Sequence, residues 1–249
     1  MSDAVYYEKP VLLDRAKHKR LRVRTSTSFA FARKANSVYL AGVEFNEAMK
    51  EYAIVFTRAA NGRVVPVAML GLRTRENLFV AEGERWDAVY VPAFIRRYPF
   101  VLAQLGGEQL GVCIDEAYGG FNTKEGEALF DEQGGNTPFL ANAVQFLENY
   151  QREFARTEMF CARLEQFGLF KEMNAQAHLK DGRSFTVSNL LVVDEPRLMT
   201  LPDAIALSLF RSGELHLVSM HLASLSNMQR LTERIVLRAG PMEPAPKPA

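Results

Sequence analysis

Apolar positions along the chain fall into short runs whose period changes near residue 137. Before that point they form strand-length segments: Phe29–Phe31, Val38–Leu40, Ile54–Thr57, Val64–Leu70, Asn77–Val80, Val101–Leu105 and Gln109–Ile114. Asn61-Gly62 supplies the positive φ of a tight turn, so the runs on either side of it predict a β-hairpin. Gly106-Gly107 does the same for the last pair. Pro66 lacks an amide proton, which predicts that its strand starts late or lies at a sheet edge. Glu44–Tyr52 suits a short helix. Glu8–Arg24 opens on Val11–Leu13 and then sets Leu21 and Val23 among Arg15, Lys17, Lys19, Arg20, Arg22 and Arg24. That alternation predicts a basic edge strand, whose charge would discourage pairing with another chain. Gly119–Asn136 is rich in glycine and acid, with Leu129-Phe130 as its apolar anchor, and reads as a connecting loop.

From Thr137 the period is helical. Thr137-Pro138 pairs a cap with a first-turn proline. Leu140, Ala143, Val144, Leu147, Tyr150, Phe154, Cys161 and Leu164 then recur every three or four residues up to Gly168. This predicts one long amphipathic helix, or two broken near Thr157. Ala175–Leu179 and Ser184–Val187 flank Asp181-Gly182, a second hairpin signal. Thr200-Leu-Pro-Asp203 predicts a capped helix start and Gly213 its end. Leu215–Met220 reads as a strand, and Ser224 as the cap of a last helix carrying Leu225, Met228, Leu231 and Ile235. Together these predict an α+β fold, a mostly antiparallel sheet of short strands and hairpins covered by helices of the C-terminal half. We expect one domain over residues 1–240, β-rich over 1–118, looped over 119–136 and helix-rich over 137–240, with a disordered tail over 241–249.

The densest chemistry lies in Trp86–Phe100, WDAVYVPAFIRRYPF, which holds the only tryptophan and the Arg96-Arg97 pair. Trp86, Tyr90, Phe94 and Tyr98 repeat every four residues and, with Phe100, predict one aromatic cluster. Pro92 limits any helix to about Pro92–Tyr98, with a strand from Pro99 to Gln104 after it. A guanidinium beside aromatic faces can stack and pair bidentately with a carboxylate. Arg96, Arg97, Trp86, Tyr90 and Tyr98 are therefore the candidate ligand-binding residues. In the competing reading the stretch is a structural clamp, with Asp115 and Glu116 as internal partners of the arginines.

Composition narrows the function classes. Thirty basic against 29 acidic residues leave a net charge of +1, which argues against a nucleic-acid partner. Cys113 and Cys161 give neither ligand spacing nor a disulfide framework. Met1–Tyr7 lacks a signal pattern and no apolar run has the length of a transmembrane segment, so a cytoplasmic location is expected. There is no G-x-S-x-G elbow, no G-x-G-x-x-G and no Walker loop. Cys113, Asp115, Glu116, His216 and His221 would form a metal site only if residues 109–114 and 215–220 were neighbouring strands, so no metal site is assigned and cofactors stay open. His221 reads as a hydrogen-bonded anchor at a strand-to-helix turn.

Several phrases, in this order and spacing, resemble the SapC family of bacterial proteins: VEF at 43–45, YAIVF at 52–56, LGLR and ENLFV within 70–80, WDAVYVPAFIRRYPF at 86–100, CIDE at 113–116, EGEALFDEQG at 125–134 and HLASLSN at 221–227. The family name derives from surface-layer proteins involved in serum resistance, and its genes are associated with TonB-dependent receptors and tryptophan-halogenase-like enzymes. The resemblance implies an accessory or binding protein with a small-molecule or peptide ligand, or a protein partner. The alternative is a metal- or cofactor-dependent enzyme modifying an amino acid or peptide.

Overall fold

A computed structural model describes residues 6–106, 109–178 and 184–239. In chain order the first part holds β1 (Pro10–Leu12), α1 (Arg15–His18), β2 (Arg22–Val23), β3 (Ser37–Tyr39), α2 (Phe45–Ala48), β4 (Ile54–Arg58) and β5 (Val64–Met69). There follow α3 (Ala93–Arg96), β6 (Phe100–Gly106), β7 (Gln109–Asp115), β8 (Phe121–Asn122) and β9 (Glu127–Ala128). The remainder is α4 (Pro138–Gln166), β10 (Phe170–His178), β11 (Ser184–Val193), α5 (Glu195–Met199), α6 (Asp203–Arg211), α7 (Glu214–Ser224) and α8 (Met228–Ala239). The fold is α+β with antiparallel sheets, as the sequence predicts. Glycines 107 and 182, Asp181 and the tail after Ala239 lie outside the described residues.

Three sheets replace the expected one. The largest has the strand order β10-β11-β4-β5-β3, so the second hairpin extends the first. Two three-stranded sheets, β1-β7-β6 and β8-β2-β9, stand beside it. Every residue of β5 is buried, so the sheet is covered on both faces at this strand. Pro66 is therefore in an interior strand and not at an edge. Its carbonyl accepts from Leu40 N at 3.1 Å, and within an antiparallel strand a residue's N and O point the same way. The missing donor thus faces the point where β3, registered only to Tyr39, has already ended.

The basic segment is also rearranged. Asp14 caps α1, accepting from Lys17 N at 2.7 Å, and the strand that follows is two residues long. β2 is the central strand of its sheet, flanked by β8 and β9 from the predicted loop, so the basic edge strand is not formed. Asn77–Val80 is not a strand either; Val80 makes a single bridge to Trp86. Gly42–Glu44 is a 3₁₀ turn leading into α2, which is shorter than the helix expected over 44–52.

In the second half α4 is one unbroken helix of 29 residues with Thr137 as its N-cap. Thr157, near which the alternative reading placed a break, is buried within it, its hydroxyl accepting from Gly42 N at 2.9 Å. The helix starting at Asp203 has Pro202 at its cap position, and Thr200 instead donates to Arg197 O. Leu215–Met220 is helix, not strand. Leu215-His216-Leu217 and Val218-Ser219-Met220 each alternate apolar and polar as a strand would, but Val218, His221 and Ser224 follow a three-residue spacing into the core. Ser224 ends α7 and does not cap a helix with its side chain.

Candidate functional site

The one-turn helix α3 is placed by two carboxylates that flank α2, Glu44 just before it and Glu51 just after it. Glu44 is buried, and its Oε1 accepts from Ala93 N and from the Tyr90 hydroxyl, both at 2.7 Å, while Oε2 accepts from Ala41 N at 2.8 Å. Burial pushes this carboxyl up from its ordinary value, opposed by those three hydrogen bonds and by the Arg96 charge. Glu51 accepts from Val89 N at 2.9 Å and Tyr90 N at 2.8 Å. Residues 89–93 are thus held from one side by acid, and Pro92 opens the helix where its missing amide proton costs nothing.

The helix is too short to bring the four-residue aromatic repeat onto one face. Trp86 donates to the Tyr52 hydroxyl at 2.8 Å and stacks on Phe79. Phe94 packs edge-on against Tyr6, and Tyr98 stacks on Phe31 at 3.8 Å and 11°. Phe100 belongs to a separate core cluster with Val23, Ile114 and Leu129. The single aromatic cluster expected from the sequence is therefore distributed, each ring meeting partners from elsewhere in the chain.

The two arginines part in opposite directions. Arg97 is buried, its guanidinium 3.9 Å from the Phe94 ring centre and 5.3 Å from that of Tyr150. Arg96 is exposed and lies 5.7 Å over Tyr90 and 5.3 Å over Phe146. Its Nε donates to Val91 O at 2.9 Å and Nη2 reaches the Tyr90 hydroxyl at 3.5 Å. Nη1 makes no hydrogen bond among the described residues, which leaves a donor edge facing outward. Asp115 and Glu116, the anticipated internal partners, are engaged with other groups. Buried Asp115 accepts from Glu8 N, Lys9 N, Ala117 N and the Tyr98 hydroxyl at 2.8–3.2 Å. Glu116 takes Lys17 and Lys9, whose hydrogen bonds hold its carboxyl down at about 2.

Arg96, Arg97 and Tyr98 line a hollow of about 440 Å³ together with Phe29, Phe31, Phe100, Tyr118, Phe139, Asn142 and Phe146. A second hollow of about 440 Å³, lined by Arg24–Ser28, Phe31, Tyr98, Tyr118 and Gly119-Gly120, shares the Phe31–Tyr98 stack and Tyr118 with it. Together their linings form one groove with three arginines and no carboxylate, although Arg24 faces Glu125 outside the lining at 4.0 Å. Beyond the same stack lies a cavity of about 700 Å³ that does carry acid, Glu8 and Asp115, beside Lys34 and Arg75. Trp86 stands behind the groove wall, touching Phe29, and Tyr90 supports Arg96 from below without lining the groove. Sequence reasoning missed Phe139, Asn142 and Phe146, although their three- and four-residue spacing marks a second face of α4. It also missed Phe29 and Phe31, whose short run carries no such mark.

The metal candidates are not assembled. Residues 215–220 are helical, and β7 pairs with β1 and β6. Among the described residues no three His, Cys, Asp or Glu side chains are grouped so as to hold a metal ion. His221 is fully buried, with Nδ1 2.8 Å from Ile54 O and Nε2 accepting from Val193 N at 3.1 Å. It is the hydrogen-bonded anchor expected, set inside a helix instead of at a strand end. Ser224 Oγ accepts from Ile54 N at 2.9 Å, and Asn227 Nδ2 donates to Met49 O and Tyr52 O.

The recurrent phrases therefore meet one another in space. HLASLSN binds the backbone around YAIVF, the glutamate of VEF holds the centre of WDAVYVPAFIRRYPF, and the aspartate of CIDE takes its last tyrosine. A family model described as SapC matches residues 13–231. The chain belongs to the SapC family. No curated protein and no solved structure matches it. Among the described residues of this SapC-family chain no helix is long and apolar enough to cross a membrane.

Proposed function

We propose that this SapC-family protein is an accessory or binding protein whose groove takes a peptide or amino-acid-type ligand through a carboxylate at Arg96. Family resemblance links that role to surface-layer or TonB-receptor-associated systems. The observation that carries the reading is the composition of the groove: aromatic walls with Arg24, Arg96 and Arg97 and no acidic side chain. A guanidinium already stacked on Tyr90 and Phe146, with Nη1 uncommitted, is pre-oriented, so less side-chain entropy is lost when a carboxylate binds. Arg97, held against Phe94 and Tyr150, lines the same hollow beside Arg96. Trp86 and Tyr90 act behind the surface, the first by backing Phe29 and the second by propping Arg96.

N-acetyl-phenylalanine provides the simplest test. It should raise the melting temperature of the wild-type protein, and phenylalaninol, which lacks the carboxylate, should not. Arg96→Met, which keeps apolar bulk without charge, should abolish the effect while leaving the ligand-free melting temperature within a few degrees of wild type. Equal stabilisation of both proteins would remove Arg96 from the site.

A further inference from the structure

Arg24–Ser28, of which Thr25, Ser26 and Ser28 line both hollows, has neither helix nor strand assigned, yet its amides alternate. Arg24 N donates to Gly120 O at 2.9 Å and Ser26 N to the Tyr118 hydroxyl at 3.0 Å, both on the neighbouring segment, while Ser28 N is taken locally by Ser26 Oγ at 3.0 Å. The Tyr118 hydroxyl in turn donates to Arg24 O at 2.9 Å, so both main-chain groups of Arg24 face inward. Thr25 lies between the two inward amides and Thr27 directly after them, and neither makes a hydrogen bond among the described residues. Both are exposed. Alternate inward-satisfied and outward-open residues are the signature of a sheet edge awaiting another strand.

The edge runs directly over the arginine-bearing groove. Thr25 and Ser26 line both hollows, and Arg96 and Arg24 belong one to each. An open edge offers donors and acceptors in turn, and a polyamide reciprocates both. An isolated anion would use the donors alone. Side chains of an added strand alternate between faces, and hollows walled by Phe139, Phe146 and Tyr118 accept apolar ones.

We infer that the ligand is an extended peptide bearing a carboxylate, which adds to the Thr25–Thr27 edge as a strand and sets that carboxylate at Arg96. The inference rests on the binding reading above and narrows it from an amino-acid-type ligand to a main-chain-paired peptide. The carboxylate can come from a chain terminus or from an acidic side chain, and the test separates the two.

Titration calorimetry would use N-acetyl-Ala-Phe-Ala-Phe-Ala with a free terminal carboxylate, its terminal amide, an amide-terminated version with Asp in place of the last Ala, and the free-acid peptide with alternate backbone amides N-methylated. N-acetyl-phenylalanine is the single-residue reference. The free acid, the Asp peptide or both should bind at least about tenfold more tightly than the plain amide and than N-acetyl-phenylalanine. N-methylation on one of the two alternating sets should remove that advantage, and Arg96→Met should erase the preference for a carboxylate. If neither set of N-methylations changes the affinity, or N-acetyl-phenylalanine binds as tightly as the peptides and loses affinity in Arg96→Met, the added strand is wrong and the smaller-ligand reading stands. If neither the peptides nor N-acetyl-phenylalanine bind, both readings fall.

Discussion

His221 Nδ1 lies 2.8 Å from the carbonyl oxygen of Ile54, and because Nε2 accepts from Val193 N, the proton sits on Nδ1 and the ring is neutral. One side chain of α7 thereby satisfies backbone groups of two neighbouring strands, β4 and β11. Burial lowers its pKa from the usual imidazole value to about 4, against the opposing hydrogen bond to Ile54.

The sign of the resulting pH dependence follows directly. The folded pKa is below the unfolded one, so between about 4 and 6.5 the unfolded chain binds the extra proton. Stability contributed by neutral His221 is present at neutral pH and lost as pH falls through that window. The amount is on the order of 3 kcal/mol. Urea denaturation at pH 7 and pH 4 measures it. His221→Ala should be less stable at pH 7, since it leaves Val193 N and Ile54 O without the imidazole, and should show a correspondingly flatter acid profile. A profile parallel to wild type would assign the titration to another group.

Glu44 tests how α3 is held. In Glu44→Gln one terminus of the side chain becomes a donor, and it cannot then accept from Ala93 N, the Tyr90 hydroxyl and Ala41 N together. At least one buried donor is left unpaired, at a cost of about 1–3 kcal/mol. Because the same change frees the element carrying Arg96, binding of N-acetyl-phenylalanine should weaken in parallel. Unaltered stability would mean that α3 does not depend on this carboxylate.

The arginine pair separates by exposure. Arg96→Met should cost less than about 1 kcal/mol, as surface changes do. Arg97→Met, which removes a cation held among Phe94, Tyr150 and Tyr7, should cost more, about 2 kcal/mol. Chemical denaturation of the two variants decides the order, and the reverse order would exchange their roles.

We also expect residues 6–239 to unfold as one unit. β11 pairs with β4, and Asn227 and Ser224 bind the backbone of residues 49–54, so the two halves share a sheet and a core. Calorimetry should give one transition with equal calorimetric and van't Hoff enthalpies. Limited proteolysis within 119–136 should yield no pair of separately folded fragments. Two resolved transitions would divide the chain.

The sequence discloses features that are local and repeated. Asn61-Gly62 marks the β4–β5 turn, and Thr137-Pro138 marks the start of α4, since in each case the decisive chemistry lies within a few residues. It conceals what partners supply. β8 and β9 are two residues each and have no period to detect; they exist because β2 lies between them. The central position of Pro66 depends on β3 ending one residue early. Leu215–Met220 alternates apolar and polar residues in two short stretches, which imitates a strand and hides α7. In the candidate site, Arg96 stands out by its aromatic neighbourhood, whereas Glu44, 49 positions before the Ala93 amide it holds, gives no local sign of its role.

The pairing of Leu191 with Phe56 spans more than half of the chain. During synthesis the β4–β5 hairpin can close early, but the side of β4 that faces β11 must wait for well over a hundred further residues to be translated. An apolar strand left open for that interval is a site where nascent chains associate wrongly.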